Sequence, residues 1–198
     1  MPLRVLFVCT GNICRSPIAH GLLADRSAIE GGGAMEVRSA GTWGRNGSRA
    51  TPEAVSAAAE HGIDIDAHRA SRFTAELASW ADLILTMTTE QAREVLEEAP
   101  DARSRTFTLK ELVAITRSLP APSGDASERE TLLERVSQAD RTRSAGFAPP
   151  ADLDVADPLG LSGTVYRAVA KELEGLVDGL LRGLLGEREG EQEASPRY

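Results

Sequence analysis

The chain has 198 residues, 41% of them apolar and 26% charged, and a net charge of −8. This is the composition of an ordinary globular domain, and the acidic balance argues against a general nucleic-acid-binding surface. The two cysteines, Cys9 and Cys14, make neither a disulfide framework nor a zinc-ligand spacing; with no leader before the first strand and no apolar run near the roughly 20 residues of a membrane span, a cytoplasmic protein without a membrane partner is expected.

From the amino end, Leu3–Val8 is a short apolar run that reads as a buried strand. It leads to Cys9, five residues follow, and then comes Arg15. Ser16 can cap a helix and Pro17 is pre-set for its first position, so a helix is expected from Ser16 to about Ala28. Further strands are expected around 36–40, at 82–86 and around 105–108. The segments between them read as helices. Thr51-Pro52-Glu53 opens one that Gly62 closes, and others cover 74–80, 89–98 and 109–116. The last helix is the clearest: Ser162 precedes it, Val165, Val169, Leu173, Leu176, Val177, Leu180 and Leu184 recur at helical spacing, and Gly186 ends it. Strands alternating with helices predict an α/β fold with a parallel sheet covered on both faces.

Residues 118–150 break this rhythm. Pro120, Pro122, Ser123 and Gly124 mark a loop, Ser127–Glu130 reads as a capping box ahead of Leu132, Leu133 and Val136, and Gly146, Pro149 and Pro150 close the segment. The chain therefore reads as one domain over 1–186 with an insertion, followed by a charged tail at 187–198 that lacks a core pattern and is expected to be disordered. Gly175, Gly179 and Gly183 lie four apart on the last helix. They serve close packing within the chain or a helix contact between copies, leaving a monomer or weak dimer.

The chemistry follows from where Cys9 stands. Ligands of open parallel sheets bind beyond the carboxyl ends of the strands, and Cys9 lies at such an end, in a loop feeding a helix N-terminus. Backbone N–H groups converge there and the helix dipole is positive, which suits a phosphate dianion. A thiol attacks only as thiolate, a form that a helix N-terminus and a nearby guanidinium favour. Arg15 offers a planar fork for two phosphoryl oxygens. Thr10, Gly11, Asn12, Ile13 and Cys14 complete a phosphate-binding loop, and Asn12 tolerates a left-handed backbone. A leaving oxygen needs a proton donor. Asp157, held by Pro158 in a loop ahead of the last helix, is the best candidate, with Asp152 and Asp154 close by. Ser16 is expected to donate to the Cys9 sulfur. Arg15 and the backbone dipoles supply the positive field, so the reaction calls for no metal and no cofactor. The insertion, which precedes Asp157, either edges the cleft or decorates the surface.

Val8–Pro17 resembles the low-molecular-weight protein tyrosine phosphatases. The resemblance continues in Val37–Gly41, His61–Asp64, His68–Ala70, Ala81–Met87 and Asp157-Pro158, and leaves out about 118–150 and the tail. It implies a three-layer α/β/α fold with a four-stranded parallel sheet, for which four candidate strands exist, and a phosphorylated protein as substrate. By that resemblance Cys9 forms a phosphocysteine, Asp157 is acid and then base, and Ser39 and His68 hydrogen-bond to Asn12 and its neighbours. Ile13 contacts the leaving group, and Trp43 walls the cleft. Leu159 and Gly160 stand where tyrosine phosphatases often carry aromatic residues. In this respect, and in Phe107–Glu111 and Gly163–Tyr166, the chain is similar to bacterial protein-arginine phosphatases, which typically have threonine where Ile13 stands. Phosphotyrosine is the expected substrate and phosphoarginine the rival. Arsenate reduction requires thiols downstream of the loop, and none follows Cys14. A phosphoanion-binding pseudoenzyme would lack the nucleophile or the acid. Cys14 either packs beneath the loop or forms a protective disulfide with Cys9.

Overall fold

Four parallel strands form the sheet among the described residues, in the order β2-β1-β3-β4: β1 (Leu3–Cys9), β2 (Met35–Gly41), β3 (Leu83–Thr86) and β4 (Thr106–Thr108). The computed structural model describes residues 1–30, 34–122 and 129–186. The first half of the proposed capping box, Ser127 and Glu128, and the 187–198 tail lie outside them.

From Val5 to Cys9 strand β1 is buried on both faces, which is why that stretch is a continuous apolar run. Leu3, Val5 and Phe7 face one layer, built from α1 (Arg15–Glu30), α2 (Pro52–Ala59), α5 (Leu109–Ser118) and α7 (Gly163–Leu185). Leu6 and Val8 face the other, where Phe73, Ala78 of α3 (Ala75–Trp80), Val95 of α4 (Thr89–Glu98) and Ala102 of a short 3-10 turn (Pro100–Arg105) cover them. Burying each such side chain stabilises the fold by about 1.5–3 kcal/mol. This is the expected three-layer α/β/α arrangement.

Threonine starts four of the helices. Thr51, Thr74, Thr88 and Thr108 each accept the N–H three residues on, ahead of α2, α3, α4 and α5. Ser16 differs from the sequence reading. Helix α1 already begins at Arg15, so Ser16 lies inside its first turn and is not its cap. Pro17 is accommodated there because the first turn needs no N–H donors. Ser162 stands at the N-cap of α7 without a side-chain cap bond, and Gly186 ends that helix at φ 88°.

Within the segment read as an insertion lies α6 (Arg129–Ser144), and among the described residues this helix does not edge the Cys9 loop. Its first residue, Arg129, bonds Asp82 at 2.8 Å, and the Asp82 amide bonds the carbonyl of Arg4, so this end lies at the amino ends of β1 and β3. Buried Arg135 donates to the carbonyls of Gly183, in the last turn of α7, and of Pro120, just past the end of α5, both at the Cys9-distal ends of those helices. Arg143 donates to the carbonyls of Thr106 and Arg103 and stacks 4.0 Å from the Phe107 ring centre. With Leu132, Val136 and Ala139 in the core, α6 is a packed helix spanning from the base of the sheet to its β4 edge, not a surface decoration.

The glycine stripe on α7 serves packing within the chain at two of its three positions. A Cβ on Gly183 would lie 2.2 Å from Thr116 Oγ1, and one on Gly179 would lie 2.9 Å from Val113 Cγ1, so both let α5 approach; Gly175 faces open space.

Candidate active site

The loop after β1 is shaped from below by β2 and from within by Asn12. Cys9 pairs in register with Gly41. A Cβ on Gly41 would sit 2.5 Å from the Thr10 carbonyl oxygen and 2.9 Å from the Asn12 amide nitrogen, so only glycine lets the loop cross here. Asn12 takes the left-handed conformation at φ 55°, the only non-glycine to do so among the described residues. Its buried side chain holds that turn in place. Nδ2 donates to Ser16 Oγ at 2.9 Å and to Ser39 Oγ at 3.0 Å, while Oδ1 accepts the Ser71 amide at 2.8 Å. His68 Nε2 donates to the Asn12 carbonyl at 2.8 Å. Since a carbonyl only accepts, the proton sits on Nε2. Ser39 and His68 thus stand where the resemblance put them.

The Cys9 sulfur receives the Asn12 amide at 3.2 Å and lies 3.0 Å from the Ser16 hydroxyl. Ser16 Oγ also lies 3.4 Å from the Ala40 carbonyl. A hydroxyl has one proton to give, and of its two acceptors the sulfur is the nearer. Ser16 is therefore built into the surroundings of the Cys9 sulfur.

Arg15 is 3% exposed and bridges the loop to a segment more than a hundred residues away. Nη1 donates to the Val155 carbonyl at 2.9 Å and Nη2 to Asp157 Oδ2 at 2.7 Å. Its Nε is buried without a partner. An unsatisfied donor on a buried cation is costly, and an anion oxygen in the loop is the partner it fits. Asp157 has its side chain 48% exposed and is steadied by the Leu159 amide at 3.1 Å. The two neighbouring aspartates are occupied elsewhere: Asp152 holds Lys110, and Asp154 accepts the Thr89 amide at the start of α4. Burial pushes the Lys110 ammonium down, but the Asp152 and Glu172 carboxylates override it and hold its pKa above the ordinary lysine value.

Cys14 is buried beneath the loop as a free thiol. Tyr166 of α7 and Thr51, the α2 cap, flank it at 3.6 and 3.7 Å. Burial raises its pKa against the pull of those two hydroxyls, and burial pushes the Tyr166 phenol up to about 12. Ile13 packs partly buried against the main core. Trp43 is 66% exposed; its amide reaches the Thr10 carbonyl and its indole N–H the Glu94 carboxylate at 2.8 Å. Leu159 is 55% exposed.

Four further residues support the loop, a role that local sequence assigns to none of them, Thr51 being marked only as a helix cap. Gln91 donates to Thr10 Oγ1 at 3.0 Å while its own carbonyl accepts the Met87 and Thr88 amides. His20 Nδ1 lies 3.4 Å from Ser39 Oγ, and burial, reinforced by His68, lowers its pKa to about 4. Burial lowers that of His68 too, against the Asn12 carbonyl. The others are Thr51, whose amide bonds the Ile13 carbonyl, and Tyr166. Among the described residues no group of three or more His, Cys, Asp or Glu is placed to hold a metal ion, and no helix is long and apolar enough to cross a membrane.

Known proteins share this arrangement of sequence and fold. The family model described as low molecular weight phosphotyrosine protein phosphatase matches residues 4–143. The protein-arginine-phosphatase of Geobacillus stearothermophilus is 36% identical over 90% of this chain and 93% of its own length. The low molecular weight protein-tyrosine-phosphatase Etp of Escherichia coli K12 is 39% identical over 68% of this chain and 89% of its own. A solved structure described as the YwlE arginine phosphatase, a cysteine-to-serine mutant with phosphorylated active site serine, is 32% identical and superposes with a TM-score of 0.70 over 94% of this chain and 98% of that one. With a family match across most of its length and full-length relatives above 30% identity, this chain belongs to the low molecular weight phosphotyrosine protein phosphatase family.

Proposed function

We propose that the chain hydrolyses phosphotyrosine in proteins through a phosphocysteine on Cys9. The observation that carries this is the bridge made by Arg15. One buried guanidinium joins the loop around the sulfur to Asp157 at 2.7 Å and keeps a buried Nε without a partner. In the first step the Cys9 thiolate attacks phosphorus, a P–S bond forms and the P–O bond to the leaving group breaks. Arg15 and the loop amides hold the three other oxygens. Asp157 gives its proton to the departing phenoxide. In the second step Asp157, now a carboxylate, takes a proton from water, the hydroxide oxygen bonds phosphorus and the P–S bond breaks, releasing phosphate and the thiolate. The relative with phosphate on the serine in place of its cysteine supports such an intermediate. Dependence on a free thiol suits a reducing, cytoplasmic setting.

Ile13 at the loop and the exposed Trp43 and Leu159 favour an aromatic leaving group. Phosphoarginine is the second reading, because the arginine phosphatase relative matches 90% of the chain and the tyrosine phosphatase Etp 68%. The test is rapid-quench kinetics on phosphotyrosine, phosphoarginine and phosphoserine peptides. A product burst equal to enzyme concentration, absent in Cys9→Ser, is expected, with phosphotyrosine preferred and Ile13→Thr shifting preference toward phosphoarginine. Full turnover by Cys9→Ser would refute the mechanism. A native preference for phosphoarginine would refute the substrate.

A further inference from the structure

Lys110 sits in the first turn of α5 with its side chain only 15% exposed. A lysine ammonium has three hydrogens, and each finds an acceptor here: Asp152 Oδ2 at 2.8 Å, the Asp154 carbonyl at 2.6 Å and Glu172 Oε1 of α7 at 2.8 Å. Two of these acceptors belong to the segment that delivers Asp157. The segment is fixed further by the Thr89 amide on Asp154 Oδ1, by the Val155 amide on the Met87 carbonyl and by Arg15 on the Val155 carbonyl. Asp157 itself has two direct holds, Arg15 and the Leu159 amide.

The stronger of those two cannot persist during catalysis. A phosphoryl dianion in the loop competes for the Arg15 fork, and a protonated Asp157 carries no charge to pair with it. The carboxyl must then be aimed by the backbone that leads to it. Beside Arg15 on the Val155 carbonyl, Lys110 is the second cation that anchors this backbone, and through Glu172 it ties the segment to α7, a helix packed against the sheet core.

We propose that Lys110 is a positioning residue for Asp157, clamping Asp152 and Asp154 so that the acid stays at the mouth of the phosphate loop when its pairing with Arg15 is lost. The proposal rests on reading Asp157 as the proton donor. A clamp of this kind has a signature that general loss of stability lacks. It matters for leaving groups that must be protonated and not for those that depart unaided.

The experiment compares kcat/KM for phenyl phosphate, whose phenoxide needs a proton, with that for 2,4-dinitrophenyl phosphate, whose phenoxide does not. Asp157→Asn is expected to lose on the order of a hundredfold or more on the first and far less on the second. Lys110→Met should repeat the asymmetry at smaller size, roughly tenfold against less than about twofold, and Lys110→Arg should recover part of the loss. Asp152→Asn changes a side chain that is 75% exposed and keeps an oxygen for the Asp154 amide, so it tests the same clamp should Lys110→Met fail to fold. Equal losses on both substrates, or none, in Lys110→Met and Asp152→Asn beside an asymmetric Asp157→Asn would overturn the clamp alone. A symmetric Asp157→Asn would overturn the acid assignment and the clamp with it.

Discussion

Asn12 concentrates the loop's constraints in one residue. Its left-handed backbone would be unfavourable for most side chains, and it persists because the amide group bonds Ser16, Ser39 and Ser71 at once. Removing the carboxamide leaves the Ser71 amide and two hydroxyls without their partner and frees the turn to relax. Asn12→Ala should therefore lower kcat/KM by roughly five- to a hundredfold, the equivalent of about 1–3 kcal/mol of lost loop order. Steady-state kinetics on an aryl phosphate checks this, and normal turnover would show that the sulfur is aimed without Asn12. Ser16 carries a different lesson at this scale. A serine before proline has the local grammar of a helix cap, yet its hydroxyl faces the sulfur of Cys9, because the helix already begins one residue earlier.

Helices α5 and α7 meet through glycine. Thr116 Oγ1, bonded to the Leu112 and Val113 carbonyls, is not free to swing away from Gly183. Gly183→Ala should cost about 1–3 kcal/mol by overpacking. Gly175→Ala, with nothing within 4 Å, should instead stabilise the chain by up to about 1 kcal/mol through helix propensity. Thermal unfolding of the pair gives shifts of opposite sign, and equal shifts would mean that the stripe is not a packing seam. Elements of this kind were legible in the sequence wherever the signal is local. The apolar run of β1, the Thr51-Pro52-Glu53 start of α2 and the long periodicity of α7 each announce themselves within a few residues. So did the Cys9–Arg15 loop, and Asp157 through Pro158 and its place before α7. What escaped is long-range. Local sequence marks Gln91 only as the far end of a Thr88–Gln91 capping box, and gives His20, Tyr166 and Lys110 no partner, since their partners lie on other elements. The place of α6 escaped for the same reason: Arg129, Arg135 and Arg143 find acceptors at chain positions far from their own.

For the molecule as a whole, acid is the condition that opposes this fold. The unfolded chain protonates His20 near pH 6.5, while the folded chain resists until about 4. Within that window the unfolded state binds more protons, so stability is complete above it and falls as pH drops through it, by about 2 kcal/mol at pH 5 and about 3 kcal/mol across the whole window. His68 pulls in the same direction. Urea midpoints at pH 7 and pH 5 should therefore differ, and the difference should shrink in His20→Gln; an unchanged difference would place the acid sensitivity elsewhere. The guanidinium of Arg15 carries one more consequence. Its partners, Val155 and Asp157, follow it by 140 and 142 positions. A ribosome adding roughly 5–20 residues per second makes the thiol and its anion cradle on the order of ten seconds before the carboxyl that completes them exists. On the proposed mechanism, the nascent polypeptide holds its phosphate-binding loop during that interval without the proton donor, and hydrolysis waits until residue 157 has been made.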